Sequence, residues 1–138
     1  MVRDRDSLEQ GEPKQQRSGI PSKTALGKIG EDAAVEWLQA RGMLILERNF
    51  RCRIGEIDII GEMDGVLVFV EVRGRSDERW GTGAESVSYK KKNKLKQVAY
   101  AYLMKNGQSD RICRFDVLSL LYSTSREVER IDWFPNAF

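Results

Sequence analysis

Apolar residues recur at helical spacing from Thr24 to Arg41. Leu26, Ile29, Ala33 and Trp37 define a stripe that Ala34 and Leu38 widen, and Gly42 is a natural stop. The period then changes. Met43–Phe50, Ile54–Ile60 and Val66–Arg73 read as strands, rich in β-branched and aromatic residues and bounded by turn formers. Helical spacing returns from about Ser86 to Lys105, where Leu95, Val98, Ala99, Tyr102 and Leu103 form the stripe to be buried. Ile112–Leu121 predicts a fourth strand and Val128–Trp133 a short fifth. The order α-β-β-β-α-β predicts one α/β domain, with helices flanking a mixed central sheet. Residues 1–22 balance acids against bases and offer almost nothing to bury. They read as a disordered tail ahead of a domain spanning residues 23–138.

One hairpin can be registered from the sequence. Asp64-Gly65 is a strong two-residue turn signal, and with those residues as the loop Met63 faces Val66. Carried outward, Ile60 meets Phe69, Ile59 meets Val70 and Ile57 meets Val72, while Asp58 falls opposite Glu71 and Glu56 opposite Arg73. The strand from Val66 is apolar on both faces, as a central strand is, and one face turns polar only at its C-terminal end. Opposed side chains lie about 4.5–5.5 Å apart at Cβ, where like charges repel. Half-buried carboxylates at that distance share a proton or hold a cation. The alternative is that both acids are exposed at the sheet end and pair with Arg51, Arg53 or Arg75, and that Arg73 only balances Glu56.

Composition narrows the chemistry. The chain of 138 residues has no histidine, which removes imidazole bases, Ser-His and Cys-His nucleophiles and His-ligated zinc. Two cysteines make neither a disulfide framework nor a zinc site and suit a reducing cytoplasm. Any metal must be held by oxygen, which selects hard cations. No phosphate-cradling glycine motif occurs, and no signal-peptide core or membrane span is expected. The net charge of +2 is small, but its distribution is not even. Val87–Lys105 holds six lysines and no acid, and Arg48, Arg51, Arg53, Arg73, Arg75 and Arg79 flank the hairpin. Such a run is either a solvated basic face or a surface that follows phosphates.

"GEID" followed by "EVR" resembles the metal-binding core of the PD-(D/E)xK nucleases, the restriction-endonuclease-like fold. With "GKIGEDAAVEWL", "ILERNFR", "LVFVEVRGR", "RFDV" and "NAF", the chain from Gly27 to Phe138 is similar to the YraN family, related in turn to Holliday-junction resolvases. The resemblance implies that Asp58 and Glu71 are the metal ligands, with the Val72 carbonyl as a third oxygen and Mg²⁺ or Mn²⁺ as cofactor. It places the fold's helix-one glutamate on Glu31 and its lysine on Arg73, so the catalytic set is Glu31, Asp58, Glu71 and Arg73. Arginine keeps a positive charge but cannot act as a base, a departure from the ExK pattern. Lys91 lies one turn before Leu95 on the apolar face, so it is expected to point toward the sheet edge, against a phosphate or as a snorkelling stem. Arg75, Lys90, Lys91, Lys92 and Lys94 are the expected DNA contacts. Asn49 and Asp116 are assigned structural roles, and Trp37, Trp80 and Trp133 packing roles, with base stacking open to Trp80.

The implied function is a metal-dependent endonuclease that hydrolyses DNA phosphodiester bonds, on branched substrates and as a homodimer because symmetric cutting needs two sites. Two rival classes fit the same residues: a non-catalytic nucleic-acid-binding module on the same fold, and a protein-interaction adaptor. The first keeps salt-dependent DNA binding without metal; the second has neither.

Overall fold

The computed structural model describes residues 23–76 and 88–138. The tail, most of the Gly-rich loop and Trp80 lie outside the described residues. The expected α-β-β-β-α-β order is observed with the short fifth strand added at its end: α1 (Lys23–Ala40), β1 (Leu44–Arg51), β2 (Glu56–Met63), β3 (Val66–Arg75), α2 (Tyr89–Lys105), β4 (Cys113–Tyr122) and β5 (Val128–Phe134). The five strands lie side by side in sequence order, which makes β3 the centre of the sheet. Only β3 and β4 run parallel; the other neighbours are antiparallel. A parallel joint needs a crossover, and α2 belongs to it. None of the described helices is long and apolar enough to cross a membrane.

The helices cover opposite faces. Ala34, Val35 and Leu38 of α1 pack on Ile59, Val68, Val70, Leu118 and Leu120. Leu95, Val98, Ala99, Tyr102 and Leu103 of α2 pack on Phe50, Ile57, Ile60, Leu67 and Phe69. β3 alternates accordingly, with Val68 and Val70 toward α1 and Leu67 and Phe69 toward α2. Burying each large apolar side chain contributes about 1.5–3 kcal/mol, so the central strand anchors both cores. The stripe of α2 is the predicted one, although the helix starts at Tyr89 rather than near Ser86, capped by Ser88.

The stripe of α1 matches the prediction at Ala34 and Leu38 but is displaced from its expected centre line. Its buried line runs through Gly30, Ala34, Val35 and Leu38, while Ile29 is 41% exposed and Ala33 and Trp37 are half-buried. Close approach is the reason. A Cβ on Gly30 would overlap the Tyr122 hydroxyl and come within 2.8 Å of Leu120 Cδ1. The helix therefore seats its small residues on the sheet and leaves Trp37 at the margin, under the Arg41 guanidinium and edge-on to Trp133.

The Asp64-Gly65 turn has the positive φ values (53° and 79°) that a two-residue hairpin demands. The register it sets holds from Met63–Val66 to Ile59–Val70, and the β2–β3 ladder ends there. Beyond that point β1 and β2 change faces together. Arg48 and Phe50 should share a face, as should Ile57 and Ile59. Instead Arg48 reaches α1 and Ile59 packs with α1, while Phe50 and Ile57 pack with α2. Asn49 sits at the switch with φ of 55°, a left-handed conformation that asparagine tolerates better than most residues. Asp58 is the residue between Ile57 and Ile59 on the neighbouring strand.

On β4, level with Val70, Asp116 is fully buried. Its carboxylate accepts from Arg114 Nε (3.1 Å) and Nη2 (3.2 Å), Trp133 Nε1 (2.8 Å) and the Asn136 backbone N–H (2.8 Å). It ties β5 and the segment after it to β4, a structural role. Asp116→Ala should lower stability by about 3 kcal/mol in chemical denaturation, since it leaves buried donors without an acceptor. Asp116→Asn should lose less.

Candidate metal and nucleic-acid site

Where β2 leaves the ladder, the Val72 backbone N–H donates to Asp58 Oδ2 at 2.8 Å. A side chain has replaced a main-chain acceptor, and this brings Asp58 beside β3. Glu71 precedes Val72 and is only 7% exposed. Burial first, and the charge of Glu71 second, push the Asp58 carboxyl up to about 7, against the opposing pull of the Val72 N–H. The two acids are thus brought together, though not as a pair within a regular ladder. The cross-strand pair of Glu56 with Arg73 does not form. Glu56 instead pairs with Arg51 across β1–β2 at 3.0 Å, and Arg73 Nη1 lies 3.9 Å from Glu71 Oε2.

Asp58 opens onto a cleft of about 990 Å³ between α1 and the β1–β3 end of the sheet. Glu31 lines the same cleft. Its Oε1 accepts from Arg48 Nη2 (2.8 Å) and Asn49 Nδ2 (2.9 Å), and the same Arg48 nitrogen donates to Asp32 Oδ1 at 2.6 Å. The left-handed turn at Asn49 therefore gives β1 two consecutive side chains that hold the α1 acid. Lys28, Arg51 and Arg126 add positive charge to the cleft wall. Arg75 also lines it, but its side chain is 13% exposed: Nε donates to Ser119 Oγ at 3.0 Å and Nη2 lies 3.7 Å from Asp132 Oδ2. An expected DNA contact is largely occupied within the sheet.

The lysine run divides. Lys90, Lys91 and Lys94 line a smaller pocket of about 330 Å³ that shares Glu56 with the cleft, while Lys92 Nζ sits 5.6 Å over the Phe138 ring. Lys91 points to the sheet, as its place before Leu95 suggests, and its Nζ lies 2.9 Å from Glu71 Oε2. The Arg48–Asn49 hold on Glu31 and the contributions of Lys28 and Arg126 had no readable sign, since side chains that meet across elements leave no periodicity.

The donors suit a hard divalent cation. Asp58 and Glu71 offer carboxylate oxygens, and the burial and neighbouring charge that push Asp58 up are relieved by a positive charge. Among the described residues no three acids, cysteines or histidines gather into one group. An ion held by two carboxylates must complete its shell with backbone oxygen and water, which suits Mg²⁺ or Mn²⁺ better than a full protein cage.

Ionised Asp58 costs stability, because its folded value of about 7 stands above the ordinary 3.8. Between these values the native chain keeps a proton that the unfolded chain has lost, so this contribution is present at low pH and fades as pH rises through 7. Asp58→Asn should accordingly be more stable than the wild type at pH 8 in metal-free buffer, by about 1–3 kcal/mol, with the gap closing toward pH 4. Urea denaturation at several pH values measures it; a gap that widens on acidification contradicts the assignment.

The profile of the "Uncharacterised protein family UPF0102" matches residues 30–120. A UPF0102 protein of Pelotomaculum thermopropionicum is 43% identical over 113 residues, covering 82% of this chain and 94% of that protein. One from Dictyoglomus turgidum is 42% identical over 113 residues, covering 82% and 96%. One from Myxococcus xanthus is 38% identical over 122 residues, covering 88% and 95%. The aligned stretch holds both acids, the Arg48–Asn49 hold on Glu31 and the lysines of α2, and this chain belongs to the UPF0102 (YraN) family.

Proposed function

We propose that the chain is a divalent-metal-dependent endonuclease acting on DNA. The observation that carries this is Asp58, which lowers stability when ionised, stands against buried Glu71 and opens onto a cleft rimmed with arginine and lysine. Bound there, Mg²⁺ or Mn²⁺ would polarise the scissile phosphate and lower the pKa of a water. The remaining work falls to the chain. Asp58 is aimed by the Val72 N–H, so its carboxylate needs no reorganisation to bind. Glu31, held by Arg48 and Asn49, faces the cleft and is suited to orienting the attacking water. Arg73 keeps its charge at every working pH and would stabilise the phosphorane oxygens, not remove a proton. Lys28, Arg51 and Arg126 on one side, and Lys90 and Lys94 on the other, would hold the backbone without reading sequence. Resemblance to junction resolvases makes branched DNA and a homodimer part of the proposal.

A binding module without catalysis is favoured by one observation: Glu71 already has cationic partners in Lys91 and Arg73. Metal separates the two readings. Linear, flap, fork and four-way DNAs incubated with Mg²⁺ or Mn²⁺ should be cut by the wild type. Asp58→Asn and Glu71→Gln should each lose roughly 10²-fold or more in rate, as removal of transition-state charge stabilisation does elsewhere. Failure on every DNA shape, with no heat of Mn²⁺ binding, favours the module. Binding itself should depend on salt, and replacing Lys90, Lys92 and Lys94 by alanine should lower the log–log slope by about 0.9 for each duplex phosphate that is no longer neutralised. An unchanged slope would mean that the run is a solvated face.

A further inference from the structure

Glu71 has a cation of its own before any metal is considered. Lys91 Nζ stands 2.9 Å from Glu71 Oε2, much nearer than Arg73 Nη1 at 3.9 Å on the same strand. The lysine comes from the first turn of α2, where its N–H donates to the Ser88 hydroxyl at 3.1 Å. One turn later Leu95 is buried in the core, so the base of the side chain is fixed against the sheet. The side chain is 44% exposed and lines an open pocket, so the ammonium is held without being enclosed. A lysine and a divalent ion compete for one carboxylate oxygen, because like charges at such distances repel strongly in a partly buried setting.

Resting on the nuclease reading, we infer that Lys91 is a built-in counter-ion: it neutralises Glu71 while the metal is absent, and passes to the DNA phosphate when a divalent cation takes Glu71. Glu56 lines the same pocket but is paired with Arg51 at 3.0 Å, which leaves a phosphate at the dyad as the anion for Lys91 to take. The ammonium then adds from α2 a second cation beside Arg73 of β3, slimmer and more mobile than the guanidinium.

Lys91→Gln and Lys91→Arg in the full chain test this, with Mn²⁺ titrated calorimetrically into DNA-free protein and cleavage measured separately. Lys91→Gln should bind Mn²⁺ roughly three- to tenfold more tightly than the wild type, because the competitor is gone. It should also cleave roughly 10²-fold more slowly, because one of the two phosphate cations is gone and Arg73 alone remains. Lys91→Arg should retain most of the wild-type behaviour in both assays, and equal thermal melts would show that folding is not the cause. Mn²⁺ affinity unchanged or weakened in Lys91→Gln overturns the counter-ion role, and cleavage at the wild-type rate overturns the transfer to phosphate. A wild type that binds Mn²⁺ and cuts DNA while Lys91→Gln matches it overturns this inference alone. A wild type that does neither overturns the nuclease reading and this inference together.

Discussion

The hydrogen bond from the Val72 N–H to Asp58 Oδ2 is the contact on which the site is built. β3 is the middle strand and cannot leave an amide unpaired without a substantial desolvation cost. β2 joins the ladder only from Ile59 onward, and the side chain of Asp58, just before it, supplies the missing acceptor. The bond thus closes a gap in the sheet and draws a carboxylate against the next one along β3. Neither acid could be held there by an ordinary ladder, in which main-chain atoms would satisfy one another and side chains would alternate away.

The gap has a partner on β1. Asn49 turns left-handed, and β1 and β2 exchange faces together, so that Phe50 and Ile57 still find apolar company beneath α2. The exchange gives Arg48 and Asn49 a common side, toward α1, where both hold Glu31. The irregularity therefore bears on two acids from two elements, Glu31 of α1 and Asp58 of β2, which line the same cleft. Electrostatics follows from burial: Glu71 stands between cations from α2 and β3, while Asp58 has an amide and a neighbouring negative charge. The two neighbouring acids are thus unequally compensated, which is why the cost of ionisation falls on Asp58.

Fold class, element order and the hairpin register as far as Ile59–Val70 were legible in the chain, because each rests on local rules. Asp-Gly demands a particular turn, alternation follows from the pleat, and a continuous apolar run belongs at the middle of a sheet. The stripe of α2 was legible for the same reason, since its five buried positions follow helical period without interruption. On α1 the same period gave one wide stripe, of which Ala34 and Leu38 are buried and Ile29 is not. Packing chose the side with smaller residues, because Gly30 and Ala34 let the helix come nearer to β4 than Ile29 and Trp37 would allow.

By itself the sequence determined that two carboxylates lie near one end of the central hairpin, that oxygen must hold any metal, and that basic residues surround both. Only the tertiary structure decided how those groups meet. The register extended past Ile59 gave Glu56 to Arg73, yet Glu56 went to Arg51 once β2 had left β3. Arg75 turned into the sheet toward Ser119 and Asp132 from β4 and β5, and Lys91 crossed from its helix to Glu71. Each of these contacts joins residues from different elements. Its partner is chosen by which backbones the packed cores bring within side-chain reach, and no short-range period along the chain encodes that distance.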